Sequence, residues 1–279
     1  MSPVASLAIT STRSPRVVAA RRLATRAFRA KQGLFLAEGP QAVREAIAYA
    51  SITDLYVNRA AEERYGDLLA SAAAAGASVL PTTDEVVASL SDTVQPQGMV
   101  AVCRFLDQPL EQVLAARPRL IALLAQIRDP GNVGSVIRAA DAAGADAVLV
   151  SDESVDVYNP KAVRATAGSL FHLPIVVGVP TATAVEQAKA AGLRVLAADG
   201  IGPLDLDEEL DSGALTAATC WLFGNEARGL PEELRAAADA VVRVPIHGKA
   251  ESLNLSTAAA VCLYASARAQ RNTRPAPPL

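Results

Sequence analysis

Little in this chain of 279 residues announces a function, and each thing it lacks removes a class. Cys103, Cys220 and Cys262 are its only cysteines, they lie far apart, and just two histidines accompany them. No zinc-site spacing can be composed from that set, so no metal is expected. An odd cysteine count without a secretory leader reads as reduced, buried thiols and a cytoplasmic location. The first ten residues hold no basic region followed by a sustained apolar run, so no signal peptide is expected. Ala165 to Val185 is uncharged and long enough to span a bilayer, but Pro174, Pro180 and His172 interrupt it. That stretch reads as loop, buried strand and loop, so no membrane partner is expected. A dinucleotide fingerprint is missing too. Gly200-Ile201-Gly202 follows an apolar strand, yet the third glycine is absent and Pro203 and an acidic loop come next, which makes a turn. There is no phosphate-binding P-loop and no internal repeat.

What remains is half apolar and one fifth charged, which excludes disorder and allows one large domain or two ordinary ones. A net charge of −3 argues against general affinity for nucleic acid. Its distribution is uneven, however. Arg13, Arg16, Arg21, Arg22, Arg26, Arg29 and Lys31 precede Glu38 with no acidic residue among them, while acids gather between Asp205 and Asp211.

The pattern along the chain predicts two alternating units. The first ten or so residues and the Pro-rich Thr273 to Leu279 read as disordered ends. Val17, Ala20, Leu23, Ala24, Ala27 and Phe28 recur at helical spacing between Arg13 and Lys31. A helix from Pro40, a strand over Ile52 to Val57, a helix over Ala60 to Ala75, a strand over Ser78 to Leu80, a helix over Asp84 to Leu90 capped by Thr83 and a strand over Gly98 to Phe105 complete an αβαβαβ unit. Leu106 to Arg119, punctuated by Pro109 and Pro118, reads as helix plus linker. The domains are therefore set at residues 1–106, a linker at 107–118, and 119–279. In the second unit strands are expected at Leu120 to Ala125, Ala147 to Val150, Pro174 to Val177, Arg194 to Ala198, Cys220 to Phe223 and Val241 to Val244. Helices are expected at Val133 to Ala143, Pro160 to Ala167, Ala182 to Ala191, Pro231 to Ala237 and Leu255 to Gln270. Such alternation builds an α/β fold with a mostly parallel sheet covered on both faces.

Three segments carry the chemistry, each where an apolar strand gives way to a helix, the edge at which open α/β sheets bind ligands. Asp129-Pro130-Gly131-Asn132-Val133-Gly134-Ser135-Val136-Ile137-Arg138 turns and opens a helix, with Arg138 set among small and apolar neighbours. Phe223-Gly224-Asn225-Glu226 is a sharp strand exit, and Glu226 alone reads equally well as a first-turn helix carboxylate. Val244-Pro245-Ile246-His247-Gly248-Lys249-Ala250-Glu251-Ser252-Leu253-Asn254-Leu255-Ser256 ends in Ser, Asn, Ser before a long apolar helix. Capping needs only one of those three polar residues.

In type, spacing and order the three segments resemble the signature motifs of the SpoU (TrmH-like) family of RNA ribose methyltransferases, over about 150 residues from Leu120 to Ala269. The basic start followed by Gly33-Leu34-Phe35-Leu36-Ala37-Glu38-Gly39 resembles that family's N-terminal substrate-binding domain. The resemblance implies a C-terminal domain of the SPOUT class, with a trefoil knot at the cofactor site, preceded by a smaller L30e-like α/β/α domain. It implies S-adenosylmethionine as cofactor, held largely by backbone groups around Leu196, Ala197, Ala198, Gly200, Phe223, Gly224, Asn225, Val244, Ile246 and Leu253. Arg138 falls on the family's catalytic arginine, and Asn132, Glu226, Ser252 and Asn254 on its other polar active-site positions. The implied reaction is methyl transfer to a ribose 2′-hydroxyl of RNA, 23S ribosomal RNA before transfer RNA, with a catalytically inactive RNA-binding protein as the alternative. Arg138 would act as base with help from an RNA phosphate, or stabilise the developing alkoxide. The seven basic residues before Glu38 would contact RNA phosphates. A homodimer through the C-terminal domain is also implied, as the long apolar helix there allows.

Overall fold

A computed structural model of the chain describes residues 8–226 and 228–271; the disordered-end readings lie outside the described residues except at 8–10, where Ile9 is ordered and donates its N–H to the Pro81 carbonyl at 2.8 Å. Contacts divide the chain into two compact units, Met1–Leu106 with Tyr158–His172, and Asp107–Val157 with Leu173–Leu279.

The first unit is built on a sheet of β1 (Leu34–Glu38), β2 (Ile52–Asn58), β3 (Ser78–Thr82) and β4 (Met99–Arg104), in the order β1-β4-β2-β3. Only the β2–β3 pair is parallel. Strand β1 is absent from the αβαβαβ reading because four apolar residues and a glutamate beside a glycine motif carry no period of their own. Helices Pro15–Arg22 and Asp84–Leu90 bury Val17, Ala20, Val86, Val87 and Leu90 against Leu36, Tyr56 and Leu80. The basic segment is two helices, Pro15–Arg22 and Arg26–Gln32, because the chain turns at Leu23 to Thr25. The Ala-rich run likewise breaks at Tyr65 into Arg59–Arg64 and Gly66–Ala74.

Tyr158–His172 belongs to this unit although it comes from between two strands of the other, which a division by sequence position does not foresee. Aromatic packing accounts for it. The Tyr158 ring stacks on Phe105 at 4.1 Å between centroids and tilts on Phe35 at 4.7 Å, and Phe171 stacks on Phe35 at 6.0 Å. The Tyr158 hydroxyl accepts the Leu106 N–H at 2.7 Å, so its polar tip is satisfied.

In the second unit β5 (Leu120–Leu124), β6 (Ala147–Ser151), β7 (Ile175–Val179), β8 (Arg194–Ala198), β9 (Leu204–Asp205), β10 (Thr219–Phe223) and β11 (Ala240–Arg243) form one sheet in the order β7-β6-β5-β10-β8-β11-β9. Every pairing in it is parallel. β5, β6 and β10 are buried at every residue, as strands covered on both faces must be. Helix Leu255–Gln270 lays Ala259, Cys262, Leu263 and Ser266 inward, and Ser266 Oγ accepts from Trp221 Nε1 at 2.9 Å. The acidic loop of the sequence reading is helix Leu206–Asp211: Asp205 caps it, and Asp207, Glu208 and Glu209 in its first turn face the positive end of the dipole. Because all strands run one way, their carboxyl ends share one edge.

Candidate active site

At that edge, past the ends of β8, β10 and β11, lies a cavity of about 540 Å³. Three loops wall it: Ala198 to Gly200, Phe223 to Glu226 with Gly229, and Val242 to Ile246 with Glu251 to Leu253, joined by Leu255 and Ala258 of the long helix. Such a volume falls within the ~300–1,000 Å³ usual for small-molecule clefts.

The second loop is shaped by close backbone approach. A Cβ on Gly224 would lie 2.7 Å from Leu230 Cγ and 2.8 Å from the Gly229 carbonyl carbon and oxygen, so only glycine fits that corner. The Gly229 N–H donates to the Asn225 carbonyl at 2.8 Å, and Asn225 Nδ2 donates to the Gln126 carbonyl at 3.1 Å, binding the exit of β10 to that of β5. Arginines brace the other walls. Arg235 Nη1 donates to the Leu230 carbonyl at 2.7 Å and pairs with Asp199 at 3.4 Å, while Arg243 donates to the Gly202 and Pro203 carbonyls at 3.1 and 2.9 Å.

The three sequence segments meet here through a chain of hydrogen bonds. Asp129 caps helix Pro130–Ala143 by accepting the Asn132 N–H at 2.9 Å. Asn132 Nδ2 then donates to Glu226 Oε1 at 2.6 Å, and Asn254 Nδ2 donates to Asn132 Oδ1 at 3.2 Å. Asn254 in turn caps helix Leu255–Gln270, accepting from the Ser256 N–H at 2.9 Å and its hydroxyl at 2.6 Å. Glu226 and Ser252 line the cavity, so this string of amides and carboxylate reaches its wall.

Arg138 stands apart. It is exposed, it does not line the cavity, and among the described residues no hydrogen bond or ion pair holds it. Six residues beyond Asn132, it lies on a different face of the helix. Its apolar neighbours Val136, Ile137 and Ala140 face the core, and Arg138 faces away from it.

Of the ten residues singled out around a cofactor, Ala198, Gly200, Phe223, Gly224, Asn225, Val244, Ile246 and Leu253 line the cavity, while Leu196 and Ala197 are buried within β8 beneath it. Asp199 and Glu251, within the loops the resemblance points to, also line it, as do Gly229 and Arg243 just outside them. Nothing local marks Arg243.

Among the basic residues, Arg13, Arg16, Arg21, Arg22, Arg26 and Lys31 are exposed, whereas Arg29 is 2% exposed. Its guanidinium donates to the Leu23 and Ala24 carbonyls at 2.7 and 2.9 Å, at the turn that breaks the two helices. Arg29 is therefore a structural cation rather than a phosphate contact. The thiols offer no nucleophile: burial pushes Cys220 and Cys262 up to about 12, and Cys103 up as well. Among the described residues no group of side chains could hold a metal ion, and no helix is long and apolar enough to cross a membrane.

The model of the SpoU rRNA methylase family matches residues 119–264, and that of an MRM3-like substrate-binding domain matches residues 14–101. The 23S rRNA (guanosine(2553)-2′-O)-methyltransferase RlmP of Bacillus subtilis is 32% identical over 259 residues, covering 92% of this chain and 97% of that protein. The AdoMet-bound rRNA methyltransferase of Sinorhizobium meliloti superposes with a TM-score of 0.81 at 31% identity, covering 93% and 97% of the two chains. The SpoU methyltransferase AviRb of Streptomyces viridochromogenes, in complex with AdoMet, superposes with a TM-score of 0.80 at 30% identity, covering 94% of this chain and 100% of that one.

Proposed function

This chain belongs to the SpoU rRNA methylase family, and we propose that it methylates a ribose 2′-hydroxyl of 23S ribosomal RNA with S-adenosylmethionine. The observation that carries the reading is the bonded string Asn254–Asn132–Glu226, which joins all three motifs beside the cavity. The cavity suits the cofactor: about 540 Å³, walled by small and apolar residues, with Asp199, Glu226 and Glu251 at its polar points. When bound, S-adenosylmethionine supplies an already activated methyl group.

The protein's part is alignment and charge. The loops after β8, β10 and β11 present backbone amides and carbonyls to an adenosine-sized ligand, braced by Arg235 and Arg243. Asn132, clamped between Glu226 and Asn254, fixes the carboxylate's direction, and Ser252 offers a hydroxyl in the same wall. Together they orient the ribose hydroxyl for in-line attack. Arg138, exposed and off this wall, meets the ribose from the RNA side and steadies the oxygen as the hydroxyl's proton passes to the Glu226 carboxylate. The exposed arginines and lysine before Glu38 contact RNA phosphates.

Residues 1–106 with 158–172 act as the substrate-binding part, and 119–157 with 173–279 as the methyltransferase. Two chains pair through the second of these, where Val261 and Tyr264 leave apolar surface on helix Leu255–Gln270 at 40% and 51% exposure. A ribosomal substrate and buried, reduced thiols fit the cytoplasm.

The test maps 2′-O-methylation of total RNA from cells with and without this protein. One 23S position losing its methyl group is expected. Loss on a transfer RNA instead, or no change with cofactor bound, would overturn the assignment.

A further inference from the structure

Away from that cavity, the first unit carries two adjoining clefts that share Glu38, Ala42, Ser91, Val163 and Arg164. The one of about 330 Å³ is lined by Gln41, Ser91, Thr93, Gln95 and Gln97 together with the buried Met99 and Val163. Part of this lining, Val163, Arg164 and Ala167, comes from residues 158–172, outside the stretch matched by the substrate-binding domain model.

Its walls are held in place. Arg164 donates to Glu38 Oε1 at 2.8 Å and Asp92 Oδ2 at 3.1 Å, and Glu38 also accepts the Ser91 hydroxyl and the Asp92 N–H. Those pairings neutralise Arg164, so the cleft is polar but not an anion site. The amides are a different matter. Among the described residues neither Gln95 nor Gln97 has a hydrogen-bond partner, and Gln41 commits only Nε2, to the Ala167 carbonyl at 2.9 Å. Gln97 reaches over Gly39, where φ is +86° and a Cβ would come within 2.5 Å of its Oε1. Each amide offers donors and an acceptor side by side, the pattern that matches a nucleobase edge. Between Thr93 and Gln95, Val94 is 99% exposed and gives the rim an apolar side chain. In the neighbouring cleft of about 280 Å³ stands Arg21 of the basic segment.

We propose that the amide-lined cleft takes one unpaired nucleobase of the RNA, read by Gln95 and Gln97, with the adjoining phosphate held by Arg21. The size admits a base and its sugar but no duplex, and base-specific reading of RNA works on splayed-out, unpaired nucleotides. This site rests on the RNA-methylating role proposed above and adds how the substrate is selected. Phosphate contacts position the RNA, and the cleft specifies it.

The experiment titrates the full chain against a 23S ribosomal RNA transcript and against duplex RNA of equal length, over a range of salt. The pair of changes Gln95→Ala and Gln97→Ala should weaken transcript binding roughly tenfold, leave duplex binding alone, and leave the slope of log affinity on log salt unchanged. Arg21→Ala should instead weaken both RNAs and flatten that slope by about one. Unchanged transcript affinity in the paired variant, or equal loss on both RNAs, would overturn the cleft. Methyl transfer is read separately on the same samples: a wild-type chain that binds the transcript without methylating it defeats the catalytic assignment while the binding data still decide the cleft.

Discussion

Replacing Asn132 with alanine cuts the string that joins the three motifs, and its consequences can be worked out from the distances. Two bonds go: the 2.6 Å bond to the Glu226 carboxylate and the 3.2 Å bond from Asn254. In isolation a bond to a charged group contributes about 1.5–3 kcal/mol and a neutral one about 0.5–1.5. Glu226 and Asn254 are both exposed, so water replaces much of what is lost, and the stability cost should be near ~1 kcal/mol. In a unit of this size that lowers the melting temperature by about 2–4 °C. If the string only braced the fold, methylation well below the melting point would be untouched. If it aims Glu226 and the ribose, a displacement near ~1 Å costs on the order of a hundredfold. The expected result is kcat/KM down about a hundredfold, with S-adenosylmethionine affinity within about threefold, because Asn132 does not line the cavity. Steady-state methylation of a 23S transcript, with calorimetric titration of the cofactor, reads both. Activity within about threefold of wild type in a folded variant would refute an orienting role.

Three further outcomes are expected. Gly224→Ala forces a methyl group against Leu230 and the Gly229 backbone, so it should cost about 1–3 kcal/mol and weaken cofactor binding more than ~10-fold by calorimetry; unchanged binding would separate that turn from the pocket. Arg29→Ala strips the donors from the Leu23 and Ala24 carbonyls and should destabilise the chain by roughly 2–4 kcal/mol in urea, whereas exposed Arg26→Ala should stay within about 0.5, and equal effects would contradict the structural assignment of Arg29. At Asp239 burial opposes the charged form, but the bonds from Lys189 and the Val195 N–H and the charges of Lys189 and Arg194 outweigh it, leaving the carboxyl below its ordinary 3.8. The folded carboxylate therefore adds stability above that value and loses it as pH falls through the lower folded value. Asp239→Asn should be slightly less stable at pH 7, by under ~1 kcal/mol, and the gap should close in strong acid; a gap that widens there would reverse the sign.

How much of the fold could be read from sequence depended on whether the signal was local. Strand β8 and helix Leu255–Gln270 fall at the expected residues, because a four-residue apolar run after an arginine and a long apolar helix behind an Asn cap are local patterns. Strand β1 and helix Leu206–Asp211 were passed over, the first for want of a period and the second because its acids, which favour a helix start, look like loop composition. The allegiance of Tyr158–His172 to the first unit was invisible for a different reason. It depends on Tyr158 and Phe171 packing with Phe35 and Phe105, rings brought together only by the folded chain.

The active site divides along the same line. Motif residues mark where strands end, which is why most of the chosen loop residues do line the cavity, but no motif reports which face of a helix a side chain takes. Arg138 and Arg29 show the two ways that fails: surrounded by small apolar neighbours, the first points outward, while the second, in a basic run, is buried on two carbonyls. What could not be read at all is the bonding of Asn132 to residues 94 and 122 positions away. Yet the residue types constrain that bonding once the sheet has made them neighbours. An asparagine amide donates from one atom and accepts at the other, so it can serve a carboxylate and a second amide at once. Aspartate at 132 would set two anions 2.6 Å apart, and serine is too short to reach both partners. The motif therefore fixes an amide at 132 through the chemistry of partners that only the parallel sheet supplies.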